Sequence, residues 1–465
     1  MIPGSVLYRA RAYDTPDNPF IDDLTRPGFR YDDDLGLVVS AQGVITARGP
    51  FAAMAAASPQ ATVIDLRAGI LLPGLVDTHV HFPQVRVIGA LGMPLLEWLE
   101  RCALPEEQHL ASPDYAATIA TEFVAGLIAA GTTTSLVFGS HFAPAVDALF
   151  TEAARFGLRV TSGLVVSDRM LPEPLLTTPQ RAYAESLALA ARWHGVGQAR
   201  YAVTPRFSLS ASDPILAACA SVMSDVEGAF FTSHVNENLV EVATVRGQFP
   251  DRSGYVDTYD HHGLLGPGSV LAHNVHPLDA ELAALADRST AVAHCPSSNS
   301  ALGSGLFSLR RHVAAGVPVA LGSDVGAGTG FSLFKEGLQA YFVQRLLGDQ
   351  GLPLAPGHLL HLSTSAGAAA LGLADVIGDF SEGKEFDAIC LRPPAGTALD
   401  IGLRHAGSPE EALGKVFALA GDADVADVWI AGEQIASGGF LRPVSPLTPA
   451  RRHMPAGSGS RGTPR

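Results

Sequence analysis

Residues 73–84 read PGLVDTHVHFPQ, and the meaning of this stretch decides the architecture of the chain. A Pro-Gly turn leads into the apolar pair Leu75 and Val76, and His79 and His81 follow two residues apart. Residues i and i+2 of a strand share a face. Two imidazoles on one side of a strand end make half of a metal site, so the remaining ligands should lie at the ends of neighbouring strands.

Working outward, short apolar runs of the same kind recur at 74–82, 132–139, 158–166, 199–207, 229–237, 269–276, 290–296 and 317–325. Helical patterns such as DYAATIATEFVAGLIAAG and LDAELAALADR separate them. Eight β-α repeats in about 250 residues predict a (β/α)8 TIM-like barrel rather than an open doubly wound sheet. The near-continuous apolar character of the runs fits parallel strands covered on both sides. The barrel is expected over 73–375. Segments 1–72 and 376–445 carry short strand-like pieces punctuated by Gly, Pro and Asp, and should form a small β-sandwich built from both chain ends. Residues 446–465, rich in Gly, Ser, Pro and Arg, read as a disordered tail.

Bulk properties narrow the function. The 465 residues are 47% hydrophobic and carry a formal charge of −15, with no Lys/Arg-rich run before the tail, which argues against nucleic acid or an anionic membrane as partner. The four cysteines are scattered without a CxxC pair, so neither a disulfide framework nor a zinc ribbon is indicated. Without an apolar leader or an unbroken 18-residue apolar segment, the expectation is a soluble cytoplasmic protein.

The polar residues of interest end predicted strands: His79 and His81 the first, His234 the fifth, His273 the sixth and Asp324 the eighth. In a barrel these ends converge on the face that carries the active site. Imidazoles with a carboxylate suit a borderline divalent ion, Zn²⁺ first and Fe²⁺ second. Any one of the 16 histidines is more easily a surface or packed residue, and His141, His262, His312 and His361 are read that way; the set carries the signal. The only lysines, Lys335, Lys384 and Lys415, lie outside all eight strands, which removes the usual bridge between two ions and favours one. Glu237, three residues beyond His234, would by itself be a solvated loop carboxylate. Beside a metal-activated water it is the group that C–N hydrolysis needs to move protons.

With these motifs in hand, the chain resembles the amidohydrolase superfamily and, within it, the guanine deaminase family. The broad resemblance covers nearly the whole chain; the narrower one rests on VDTHVHFPQ, PLLEWLE, GTTTSLVF, VTPRFSLS, SHVNEN, AHCPSSN and LGSDVGAG. HxH and SD are shared widely, whereas FPQ, TPRFS and SHxxEN together are much more specific. The resemblance implies hydrolysis of guanine to xanthine and ammonia by attack of zinc-activated water at C2, a step of purine catabolism. It makes His79, His81, His234 and Asp324 the ligands of one zinc per subunit, with Fe²⁺ as the alternative ion. His273 stands beside the reactive water, and Glu237 is the proton shuttle with Asp324 sharing the proton. Gln84, Arg206 and Phe207 line the purine pocket with His234 and Glu237. A homodimer is implied, with a lid to which PLLEWLE contributes unless that segment is ordinary core. Rival readings are a relative acting on an s-triazine or an adenosine derivative, and a non-catalytic assembly protein. The cytidine deaminase architecture is excluded by the lack of P-C-x-x-C.

Overall fold

A computed structural model describes residues 4–20 and 28–444 of the chain; the tail read at 446–465 lies outside them. Eight barrel strands follow in sequence order: β1 (Leu75–His81), β2 (Thr132–Ser140), β3 (Arg159–Val166), β4 (Arg200–Pro205), β5 (Phe230–Val235), β6 (Ser269–His273), β7 (Ala291–His294) and β8 (Val319–Leu321). Each pairs in parallel with the next. The circle is drawn together beyond the ladder itself. Asp324 N donates to His79 O at 2.8 Å, His81 N to Val325 O at 2.9 Å, and Thr78 Oγ1 to Leu321 O at 2.8 Å. Every residue of β1, β2 and β3 is buried, as expected of parallel strands covered on both faces.

The intervening helices start and stop where local chemistry dictates. Ser112 caps Pro113–Ala129 by accepting from Tyr115 N, with proline at the first helical position. Helix Ala143–Phe156 ends at Gly157, whose φ of 65° is left-handed. Among the described residues no helix is long and apolar enough to cross a membrane.

Both chain ends contribute to one nine-stranded mixed sheet, the form taken by the β-structure expected there. The ends meet where Ile70–Pro73 pairs antiparallel with Ala388–Leu391. Tyr8, Ala10 and Ala12 alternate into a core with Leu35, Leu37, Phe386 and Trp429, and the Tyr8 ring stacks on Phe386 at 4.5 Å. From this sheet the chain passes through Gly74 directly into β1. A Cβ at Gly74 would lie 2.1 Å from Thr133 Oγ1, so the Pro-Gly junction is set by close approach as well as by turning.

A buried ion cluster ties the sheet to the start of β3. Arg159 donates through Nε and Nη2 to the two carboxylate oxygens of Asp387, both at 3.0 Å, and through Nη1 to Gln198 Oε1 at 2.5 Å. Arg159→Ala would leave the buried Asp387 carboxylate without its cation. A loss of about 3–5 kcal/mol in stability is expected, read as a lower urea midpoint; an unchanged midpoint would show that the cluster contributes nothing net.

Candidate metal centre and active-site cleft

At the C-terminal mouth of the barrel, His79 and His81 from β1, His234 from β5 and Asp324 just beyond β8 offer four buried ligand atoms, all within 4.8 Å of one another. His81 Nε2 lies 3.1 Å from His79 Nε2 and 3.2 Å from His234 Nε2. Asp324 Oδ1 is 3.3 Å from His79 Nε2 and 3.1 Å from His81 Nε2. Burial lowers the pKa of all three rings, to about 4 for His81, and so keeps them in the neutral form that ligates metals. His234 is oriented further: Nδ1–H donates to Arg206 O at 2.6 Å, leaving the Nε2 lone pair for the centre. Neutral imidazoles converging edge-on with a carboxylate, out of water, fit one divalent cation of the zinc type.

Two further residues face the same point. His273 Nε2 is 3.5 Å from Glu237 Oε2 and 3.8 Å from Asp324 Oδ2, while its Nδ1–H donates to Asn299 Oδ1 at 2.9 Å. Burial, reinforced by the charge of Asp324, raises the Glu237 carboxyl to about 8, although Ser304 Oγ donates to it at 3.1 Å. Its position is fixed from behind. Asn238 and Glu241 form a capping box at helix Leu239–Gln248, and Glu241 Oε2 accepts from the backbone N of both Glu237 and Asn238 at 3.2 Å. Cys295 also has its sulfur within 4.8 Å of the ligand atoms of His273 and Asp324, but burial pushes the thiol well above its ordinary pKa and keeps it protonated.

Gln84, Arg206 and Phe207 adjoin the ligands and line the same cleft as His81, His234, Glu237, His273 and Asp324. Leu95, Trp98 and Leu99 of PLLEWLE complete it, so this segment is both packed and part of the wall. Of the site residues singled out from the sequence, His79 alone is absent from this lining, and it belongs to the ligand cluster with His81, His234 and Asp324. Glu107 was not read from the sequence: its buried carboxylate accepts from Arg206 Nη1 at 2.6 Å and Gln84 Nε2 at 2.8 Å. Asn299 was missed too, although AHCPSSN was in view. The N-x-x-E cap at 238–241 was the one legible signal for Glu241. Of the histidines set aside, His141 is packed against Glu107 at 3.5 Å, His312 stacks on Phe307 with ring centroids 4.2 Å apart, His361 is buried beside Phe20, and His262 pairs with Asp213.

Residues 70–435 match the amidohydrolase family. A probable guanine deaminase of Deinococcus radiodurans is 58% identical over 92% of this chain and 97% of its own length. The solved guanine deaminase of E. coli superposes with a TM-score of 0.88 at 33% identity, covering 93% of this chain and 99% of that one. The guanine deaminase of Bradyrhizobium japonicum gives a TM-score of 0.89 at 32% identity, covering 93% and 99%.

Asp324→Ala should bind far less zinc than the unaltered chain by elemental analysis; full zinc content would remove Asp324 from the ligand set. Asn299→Ala should keep the metal but slow turnover roughly 10–100-fold, the usual cost of losing a group that orients a site histidine. Unchanged turnover would show that His273 needs no such partner.

Proposed function

Because the chain belongs to the amidohydrolase family, we propose that it is a metal-dependent hydrolase that converts guanine and water to xanthine and ammonia. The observation that carries this reading is one cleft lined both by a metal-type donor set and by a carboxylate-backed Arg-Gln pair. His79, His81, His234 and Asp324 hold one ion, zinc by the match of three imidazoles and one carboxylate to its preferences. When bound, that ion supplies Lewis acidity that lowers the pKa of water to about 7.

The chain's own residues do the rest. Glu237, buried beside the centre, takes a proton from the attacking water and passes it to the ring nitrogen beside C2. As the C2–amine bond breaks, the same carboxyl delivers the second proton, so ammonia leaves and the carbonyl of xanthine forms. His273, with Nδ1–H committed to Asn299, directs Nε2 at the reacting centre and sits between Glu237 and Asp324. Arg206 and Gln84 offer donors to the purine's oxygen and ring nitrogens, Phe207 and Trp98 give apolar walls, and the segment around Leu95–Leu99 narrows access for water. The same reading gives a homodimer working in the cytoplasm, for which light scattering of the purified chain is the test.

Ammonia release from guanine by zinc-loaded protein, with adenine, cytosine and melamine in parallel, tests the reading. Guanine-selective release that a chelator abolishes and zinc restores is expected; activity on another heterocycle alone would discard the substrate assignment. Glu237→Gln should keep zinc and lose roughly 10²–10⁴-fold in kcat. Near-normal turnover would take it out of the mechanism.

A further inference from the structure

Behind the substrate wall, Glu107 does something the lining residues cannot do alone. It belongs to helix Leu104–His109, is 3% exposed, and is not itself part of the cleft lining. One carboxylate oxygen accepts from Arg206 Nη1 at 2.6 Å with His141 Nδ1 3.5 Å away; the other accepts from Gln84 Nε2 at 2.8 Å. At the far end of the same amide, Gln84 Oε1 accepts from Gly326 N at 3.2 Å. Both ends of the Gln84 amide are therefore assigned. Reversing it would set two acceptors face to face at Glu107 and two donors face to face at Gly326, with the Gln84 and Glu107 side chains both buried.

We propose that Glu107 is a positioning residue that sets substrate specificity, by fixing the Gln84 amide and the Arg206 guanidinium so that this wall presents hydrogen-bond donors to the purine. The inference rests on guanine as the substrate. Gln84 Nε2 also lies 3.2 Å from His81 Nδ1. That nitrogen carries its own proton once His81 gives its Nε2 lone pair to a cation, so this contact then sets donor against donor and the orientation of the amide rests on Glu107 and Gly326 alone. Arg206 has no acceptor capacity at all. A wall of donors matches an oxopurine, whose carbonyl oxygen and ring nitrogens accept. It disfavours the analogue with an amino group in place of that carbonyl, because two sets of donors would then meet in a buried site. Burial works against an ionised Glu107, but Arg206 and His141 outweigh it and hold the carboxyl below its usual range, so it serves as an acceptor only.

The test uses the full-length, zinc-loaded chain and its Glu107→Gln and Glu107→Asp variants. It measures KM and kcat for guanine, Kd for xanthine by titration calorimetry, and the inhibition constant of 2,6-diaminopurine. In Glu107→Gln the new amide either donates or accepts, so Gln84 is free to turn. KM for guanine and Kd for xanthine should rise at least tenfold, kcat should change much less, and diaminopurine should bind as well as before or better. Glu107→Asp keeps an acceptor-only group and should restore most of the preference for guanine over diaminopurine; if the Gln variant fails to fold, a Glu107→Asp preference between that of the unaltered chain and none carries the same meaning. Equal weakening of all three ligands would make Glu107 a merely structural residue and overturn the inference, as would unchanged constants. A chain with no turnover of guanine before any substitution overturns the substrate reading itself, and the inference with it.

Discussion

Everything at the mouth of this barrel depends on keeping three buried imidazoles and one carboxylate aimed at a common point. Such convergence is costly in a protein interior, since each polar edge gives up water and faces another like it. The structure meets the cost by committing the remaining polar atoms elsewhere. His234 gives Nδ1–H to Arg206 O, and His273 gives its own to Asn299. Asp77, between the Pro-Gly turn and His79, accepts from the backbone of His79 and Ser323 at 3.1 and 3.0 Å and from Ser323 Oγ at 2.5 Å, which ties the first strand to the segment leading to Asp324. The site and the closure of the barrel are thus one construction.

The same region stores backbone strain. Asn236, His273, Asn274 and Asp324 all have positive φ, at 49°, 73°, 46° and 50°. For residues other than glycine that conformation costs about 1 kcal/mol or more each and persists only where surroundings enforce it. Here the loops after the fifth and sixth strands enforce each other. The backbone N of Val275 and of His276 both donate to Asn236 O at 3.0 Å, and Asn274 N donates to Val235 O at 2.9 Å. Asn236 Nδ2 donates to Asn274 Oδ1 and to Glu281 Oε2, each at 3.0 Å, and Asn274 Nδ2 continues the chain to His312 Nε2 at 3.0 Å. Asparagine suits both turns because its short amide tolerates the left-handed region while bonding locally. Glu237, on the loop after β5, and His273, the last residue of β6, both lie within this lock.

Much of this was legible in the sequence because barrel geometry turns linear pattern into spatial pattern. Once eight apolar runs were recognised, the rule that their C-terminal ends share a face brought His79, His81, His234, His273 and Asp324 together without any distance being known. Glu107, Asn299 and Glu281 were illegible for the opposite reason. Each reaches the site from a helix, and a carboxylate or amide on a helix reads as solvated until the tertiary packing that buries it is known. His141 and His312 show the same limit: read as surface or packed histidines, both are buried, and nothing in their spacing told that one would face Glu107 and the other end the amide chain from Asn236.

The most direct test of the account is a crystal structure of the zinc-loaded chain with xanthine bound, with anomalous data collected at the zinc edge. The account predicts a single anomalous peak about 2.0–2.2 Å from Nε2 of His79, His81 and His234 and from one Asp324 oxygen, with Arg206 and Gln84 donating to the purine. A peak elsewhere, a second ion sharing the site, or a ligand seated away from Arg206 and Gln84 would contradict it.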